Sequence, residues 1–253
     1  MKEYTVDVNA DMGESFGRYR LGNDEEVMKY VTSANLACGF HAGDPTVMRR
    51  TVRLAKKYNV AIGAHPGFQD LRGFGRRSMS VTPGEVYEDV LYQIGALDAF
   101  VKVEKVEMHH ISPHGALDPL VSNVEEYAEA FLSAVQDYNA ELIVMAESKS
   151  ILYDKCKLAG VRVASVALPD LKYDSKGNWI MPGRVKEPAS PVEVAEQAVS
   201  IVKNHRIKTV DGEYIETDEA AILCFHADSP NAVEVLRKVR EEFDKQGINV
   251  RAI

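Results

Sequence analysis

The sequence predicts an α/β fold, a distorted parallel (β/α) barrel with seven or eight strands. Short apolar runs alternate with helical stretches along the 253 residues, an order that is typical of a parallel sheet. Seven or eight such units in about 250 residues favour a closed barrel that forms one domain. The first strand is not followed by a Gly-x-Gly-x-x-Gly sequence, which argues against an open dinucleotide-binding sheet. We therefore expect residues 1–253 to form a single barrel domain.

The predicted elements follow one another in a regular order. The candidate strands are residues 4–11, 34–38, 60–65, 106–113, 141–147, 161–168, 220–226 and, less regular, 249–253. Between them the sequence predicts helices at residues 24–31, 45–58, 83–103, 124–138, 150–159, 191–204 and 230–246. Four of these helices follow an Asp, Ser or Thr that precedes a proline, a pairing that favours a helix start. Residues 208–216 resemble a hairpin around Asp211-Gly212, and residues 169–189 are irregular.

Composition excludes several classes of protein. The chain has 38 acidic and 30 basic side chains and a net charge of -8, which argues against a nucleic-acid partner. Three widely spaced cysteines do not form a disulfide framework and favour a reducing compartment. Apolar runs stay shorter than the roughly 18 residues that a membrane span needs, and the first residues lack the features of a signal peptide. We therefore expect a cytoplasmic protein with no membrane partner.

Polar side chains collect at the ends of five predicted strands. In parallel barrels these ends meet at one mouth, where active sites are built. A single histidine at a strand end is usually a structural residue, but four in equivalent positions predict a common site. The residues are Asn9 and Asp11 on the first strand, His41 after the second, His65 on the third, His114 after the fourth, and His226 and Asp228 at the seventh.

Two kinds of chemistry fit these residues. Imidazole and carboxylate groups could bind zinc, manganese or iron, in which case Asp11, His41, His65 and His114 are the candidate ligands. Alternatively, the histidines could perform acid–base catalysis without a metal. The spacing does not choose between the two, because no His-Glu-x-x-His sequence is present. The adjacent His109 and His110 are not a ligand pair, since neighbouring residues of a strand point to opposite faces.

A long loop is predicted at residues 66–81, and it is rich in glycine and arginine. Its Gly73-Phe-Gly-Arg-Arg77 run could bind an anion through backbone N–H groups and the guanidinium groups of Arg76 and Arg77. The alternative is a solvated lid. The chain contains no Walker A sequence, so the glycine pattern alone does not indicate nucleotide binding.

These residues lie within motifs that resemble the LamB/YcsF family. The resemblance is densest at residues 7–17 (DVNADMGESFG), 22–49 (GNDEEVMKYVTSANLACGFHAGDPTVMR), 61–77 (AIGAHPGFQDLRGFGRR) and 92–99 (YQIGALDA). It continues at residues 113–117 (PHGAL) and 225–233 (FHADSPNAV). It implies a barrel related to those of glycoside hydrolases and deacetylases. It also implies an activity: opening of the 5-oxo-L-proline lactam to L-glutamate coupled to ATP hydrolysis, by the first of three 5-oxoprolinase subunits, which acts with subunits B and C.

We accordingly predict the following roles. Asp11, His41, His65, His114 and Asp228 are the predicted catalytic residues. Predicted to bind substrate are Asn9, Glu14, Asp44, Arg76, Arg77 and His226. ATP is the cofactor that the resemblance implies, and a divalent metal is a further candidate.

The chain departs from the family pattern at several positions after the fourth and sixth strands. Ser112 and Asp118 stand where members have Lys and Tyr, and Val166 and Leu171 stand where members have Glu and Arg, whereas Asp170 is kept. At the seventh strand Ala227 replaces a glycine. The lost Lys and Arg remove two fixed positive charges. Three hypotheses follow: a subunit that opens a lactam, a metal-dependent deacetylase-like hydrolase, and a non-catalytic binding subunit.

Overall fold

The structure, a computed structural model, describes residues 3–181 and 187–253, and the predicted irregular segment at 169–189 therefore lies partly outside the described residues. The described residues form ten strands: β1 (Tyr4–Met12), β2 (Ser33–Ala37), β3 (Ala61–His65), β4 (Met108–Ile111), β5 (Ile143–Ala146), β6 (Val163–Ala167), β7 (Arg206–Lys208), β8 (Tyr214–Glu216), β9 (Ile222–His226) and β10 (Ile248–Val250). Eight α-helices accompany them: α1 (Asp24–Val27), α2 (Pro45–Tyr58), α3 (Pro83–Glu104), α4 (Leu117–Asn123), α5 (Glu125–Asn139), α6 (Ile151–Leu158), α7 (Pro191–Asn204) and α8 (Ala232–Gln246).

Seven parallel strands close into a barrel, which confirms the predicted fold class. Their order is β1–β2–β3–β4–β5–β6–β9, and β9 pairs with β1 to complete the ring. The eighth predicted strand is β10, which pairs in parallel with the first residues of β1, where Tyr4 lies opposite Ile248. The pairing of β1 with β9 begins only at Asp7. β10 therefore extends the sheet beside β1 and takes no part in the closure.

The helix starts follow local chemistry in most cases. The side chains of Asp44, Thr82 and Ser190 accept backbone N–H bonds at the starts of α2, α3 and α7, as predicted. The prediction that Ser229 begins the last helix is wrong: α8 begins only after Asn231.

Helix α4 is absent from the sequence-based prediction, because it contains Pro119. A proline in the first turn of a helix removes no intrahelical hydrogen bond, since the N–H groups there have no partner in the helix. Helix α1 is shorter than the predicted segment and ends at Val27.

Most barrel strands are one to four residues shorter than predicted, whereas the predicted hairpin is present. Strands β7 and β8 form the predicted antiparallel hairpin, with Ile207 opposite Ile215. Cys38, Cys156 and Cys224 are free and buried. Among the described residues, no helix combines the length and apolar character needed to cross a membrane.

The barrel interior contains a column of polar side chains beneath its mouth. Asn9 donates to Ser33 Oγ at 2.7 Å and to Asn35 Oδ1 at 3.2 Å. His110 Nε2 lies 2.8 Å from the same Asn35 oxygen. Burial lowers the pKa of His110 to about 3, with help from the nearby His109, so the ring is neutral. As predicted, only one of the adjacent histidines faces inward: His110 is buried and His109 is partly exposed.

Gly63 on β3 provides the space for the His110 ring. The two residues are paired across β3 and β4. A Cβ atom on Gly63 would lie 2.2 Å from the ring atoms Cδ2 and Nε2 of His110. A side chain at position 63 would therefore displace the ring from Asn35.

We expect Gly63→Ala to lower the free energy of unfolding by about 1–3 kcal/mol, the usual cost of overpacking a core. Gly95→Ala is the matched control, because a Cβ there would have no neighbour within 4 Å and alanine should stabilise helix α3 by about 0.5–1 kcal/mol. Urea denaturation of both variants measures the difference. Equal stability of Gly63→Ala and the wild type would show that the His110 ring can move without cost.

Candidate active site

Four predicted residues meet at the mouth of the barrel. Asp11 lies near the end of β1, His65 ends β3, and His41 and His114 lie in the segments that follow β2 and β4. His65 Nε2 is 3.3 Å from Asp11 Oδ1 and 3.0 Å from His114 Nδ1. The His41 ring stacks on the His114 ring, with 3.6 Å between their centroids. The predicted convergence of these side chains is therefore present in the structure.

Backbone carbonyl groups determine where His65 and His114 carry their protons. His65 Nδ1 donates to the Ser112 carbonyl oxygen at 2.8 Å. His114 Nε2 donates to the Phe74 carbonyl oxygen, also at 2.8 Å. Since a carbonyl oxygen can only accept, these two nitrogens are protonated, and the remaining nitrogen of each ring faces the other. Two lone pairs cannot face each other at 3.0 Å, so either one shared proton or a cation lies between them.

His41 is fully buried, yet its ring makes no conventional hydrogen bond within the described part of the chain. Both of its nitrogens lack a partner there. Burial lowers the pKa of His41 well below its usual value, and the neighbouring imidazoles of His114 and His65 add to the shift. The ring is held by its stack on His114 and by the close approach of Gly67, where a Cβ would lie 2.7 Å from Nδ1. A buried imidazole without partners is costly unless it binds something.

Asp11 remains charged although only 4% of the residue is exposed. Burial alone would raise the pKa of its carboxyl group, but His65, His226 and His114 outweigh burial and hold the pKa well below the usual range. Asn35 on β2 donates to Asp11 Oδ1 at 2.9 Å. Asn35 is itself fixed by His110, so the polar column beneath the mouth orients the carboxylate.

His226 approaches the site from β9 and is oriented by Asp170. Its Nδ1 is 3.0 Å from Asp170 Oδ1, and its backbone N–H donates to Asp170 Oδ2 at 3.0 Å. This bond places the opposite nitrogen, Nε2, 3.8 Å from Asp11 Oδ2. Asp170 is thus a structural partner of His226.

The glycine- and arginine-rich loop sends its two arginines in different directions. Arg76 Nη2 is 3.1 Å from Asp228 Oδ2, and only 6% of each side chain is exposed. Arg77 forms an ion pair with Asp70 within the loop, and 60% of its side chain is exposed. Arg76 therefore faces the site and Arg77 does not. The two guanidinium groups, which were predicted to bind one anion together, point to different places.

These groups surround a small cavity of about 50 Å³. Asp11, His65, His114 and Arg76 form one side of it. Met145, Leu168, Trp179 and Met181 contribute apolar surface, and a wider groove of about 580 Å³ adjoins through Glu147 and Trp179. All four positions at which the chain departs from the family pattern after strands β4 and β6 also line the cavity: Ser112, Asp118, Val166 and Leu171.

The other predicted site residues occupy different places. Glu14 is buried beside Asp11 and His114, with carboxylate and imidazole ligand atoms within 4.8 Å of one another. Asn9 lies deeper, in the polar column. Asp44 caps helix α2 and accepts from the Gly17 N–H at 2.7 Å. Among the predicted site residues, those that do not line the cavity are Asn9, Glu14, His41, Asp44, Arg77 and Asp228.

Three residues at the site are missing from the sequence-based prediction. Asn35 orients Asp11, and its signal is a polar residue within the apolar strand β2. Asp118 and Glu147 place two further carboxyl groups on the cavity wall. In the sequence, Asp118 stands out only as a departure from the family pattern, and Glu147 only as the end of a predicted strand.

Comparisons with known proteins agree with this architecture. A protein of Pyrococcus furiosus, named as the A subunit of 5-oxoprolinase, is 48% identical over 248 residues, which span 97% of this chain and 96% of that protein. The crystal structure of a lactam utilization protein from Thermus thermophilus has a TM-score of 0.88 and 42% identity, and the match covers 98% of this chain and 100% of that one.

A more distant structure shares the fold alone. It is a family 4 carbohydrate esterase from Streptomyces lividans, with a TM-score of 0.51 and 9% identity over 99% of this chain and 93% of that one. The family model that matches residues 6–253 is that of the LamB/YcsF family. Since the family model covers nearly the whole chain and a relative is 48% identical over 248 residues, this protein belongs to the LamB/YcsF family.

Proposed function

We propose that this chain is the lactam-opening subunit of a 5-oxoprolinase, which hydrolyses 5-oxo-L-proline to L-glutamate. The observation that carries the proposal is the contact of His65 Nε2 with Asp11 Oδ1 and His114 Nδ1 beside a small cavity. The names of the relatives supply the substrate, since one belongs to a 5-oxoprolinase and another is a lactam utilization protein.

In this proposal each of these residues has a role in amide hydrolysis that its position supports. Asp11 is the proton acceptor for a water molecule that attacks the lactam carbonyl carbon, because its carboxylate is charged. His65 Nε2, 3.3 Å away, orients this carboxylate. His114 fixes the orientation of His65 through their facing nitrogens. Arg76 brings a fixed positive charge to the cavity wall, where it stabilises the negative charge of the substrate carboxylate or the developing oxyanion.

A divalent metal ion fits the cluster of three histidines. Ligand nitrogens of His41, His65 and His114 lie within 4.8 Å of one another, and both nitrogens of the buried His41 lack a hydrogen-bond partner within the described residues. We therefore propose that these rings, with Asp11 beside them, bind one zinc, manganese or iron ion. Such an ion would lower the pKa of water and polarise a carbonyl group.

The lining of this cavity is not typical of a nucleotide site. Arg76 is the one Lys or Arg side chain among the lining residues that the structure describes, whereas nucleotide phosphates are usually bound by several basic side chains or backbone N–H groups. The coupling to ATP belongs, in this proposal, to the assembly with subunits B and C, which the word subunit in the relatives' names suggests. The proposed steps at this site therefore use water and the lactam alone.

We expect Asp11→Asn to lower the rate of glutamate release about 10²–10⁴-fold, because it removes the charged proton acceptor. The assay combines the chain with subunits B and C, 5-oxoproline and ATP. Asp244→Asn, on the exposed face of α8, is the matched control and should keep the wild-type rate. A wild-type complex that releases no glutamate would refute the proposed function.

We expect the purified chain to bind one divalent ion, measured by metal analysis and by calorimetric titration with zinc or manganese. His41→Ala should weaken binding at least about 100-fold, because even outer partners of metal ligands are worth about 10–100-fold. His205→Asn is the control, since His205 lies outside the cavity and Asn tolerates its left-handed backbone. Equal affinity of the wild type and His41→Ala would exclude His41 as a ligand.

A further inference from the structure

Two carboxyl groups on the far wall of the cavity take no part in the proposed activation of water. Asp118 projects from the first turn of α4, and Glu147 follows β5. Both line the cavity that Asp11, His65 and His114 line from the side of β1, β3 and β4. A small molecule in the cavity would therefore have the proton acceptor on one side and these two carboxyl groups on another.

We propose that Asp118 donates the proton to the amide nitrogen that leaves when the lactam C–N bond breaks, and that Glu147 is its positioning partner. The inference rests on the proposed function and adds a proton donor to it.

Each carboxyl group is held by one hydrogen bond and offers its other oxygen to the cavity. Ser122 Oγ donates to Asp118 Oδ1 at 2.9 Å. Trp179 Nε1 donates to Glu147 Oε1. Within the described residues, Asp118 Oδ2 and Glu147 Oε2 make no hydrogen bond. One oxygen of each group is therefore fixed by the protein, and the other is available to a substrate or to a proton.

The surroundings favour a neutral acid at this wall. Burial is the main cause that raises the pKa of Asp118 to about 7, and the negative charge of Glu147 adds to the shift. Burial raises the pKa of Glu147 too, although the bond from Trp179 opposes the change. The titratable and charged groups that share the cavity with this pair are Asp11, His65, His114, Cys224, His226 and Arg76. Arg76 pairs with Asp228 and also lines the cavity.

The step balances without any further reactant. The oxygen of water forms a bond to the carbonyl carbon, and one water proton passes to the Asp11 carboxylate. The C–N bond then breaks, and the leaving nitrogen takes the proton of Asp118. The proton held at Asp11 returns to the Asp118 carboxylate after product release, which restores the site. A carboxylic acid whose pKa lies near the working pH is suited to this role.

Two measurements test the proposal. The first follows the carboxylic acid C=O infrared band of the isolated chain from about pH 5 to about pH 9, a range that brackets the expected pKa. We expect a band that disappears as the pH rises through about 7 and that is absent from Asp118→Asn. In Glu147→Gln the transition should move to lower pH, because a negative charge beside Asp118 has been removed.

The second measurement is the pH profile of glutamate release by the complete complex. Asp118→Asn should lower kcat about 10²–10⁴-fold with little change in KM, and the fall of the rate at alkaline pH should vanish from the residual activity. Asp154→Asn, an exposed carboxylate on α6, is the matched control and should behave as the wild type.

The outcomes are distinguishable. The proposal is overturned if no carboxylic acid titrates near neutral pH, or if Asp118→Asn keeps the wild-type rate and profile. A wild-type complex without glutamate release would instead refute the proposed function. The infrared titration would then still decide whether Asp118 holds a proton at neutral pH.

Discussion

A negative charge buried at the mouth of the barrel, on Asp11, constrains the residues around it. A carboxylate loses much of its hydration there, so it stays charged only while other groups replace the water. His65 and Asn35 do so directly, and His226 lies close by. Each of these three has its own partner. His65 is bonded to the Ser112 carbonyl group, Asn35 to His110, and His226 to Asp170. The polar interior of the barrel is thus an extension of the site.

The two walls of the cavity differ in character. One wall carries Asp11, His65 and His114, from β1, β3 and the segment after β4, and these residues lie in motifs that resemble the family. The opposite wall, formed after β4, β5 and β6, combines apolar side chains with Asp118 and Glu147. Four departures from the family pattern lie at the cavity, mainly on this second wall. The departures from the family pattern therefore leave Asp11, His65 and His114 unchanged and alter residues elsewhere on the cavity lining.

Much of this arrangement could be predicted from the sequence, because topology brings strand ends together. Asp11, His65 and His114 follow strands whose parallel order is readable from alternating elements, so their convergence needs no knowledge of side-chain packing. The contact of Asn35 with Asp11 depends on the register between β1 and β2, which the order of elements in the sequence does not determine. Asp118 lies on helix α4, which the sequence does not predict because proline usually disfavours a helix. The ion pair of Arg77 with Asp70 depends on the path of a loop, which local sequence does not determine.

The chain has a single tryptophan, Trp179, and its indole N–H is bonded to Glu147 at the cavity wall. Indole emission responds to the charge and polarity of its immediate surroundings. The protein thus carries a single indole fluorophore on the lining of the cavity, and its tryptophan emission comes from this position alone. Binding of a molecule in the cavity, or loss of a proton from Glu147 or Asp118, should therefore change the tryptophan fluorescence of the unlabelled protein.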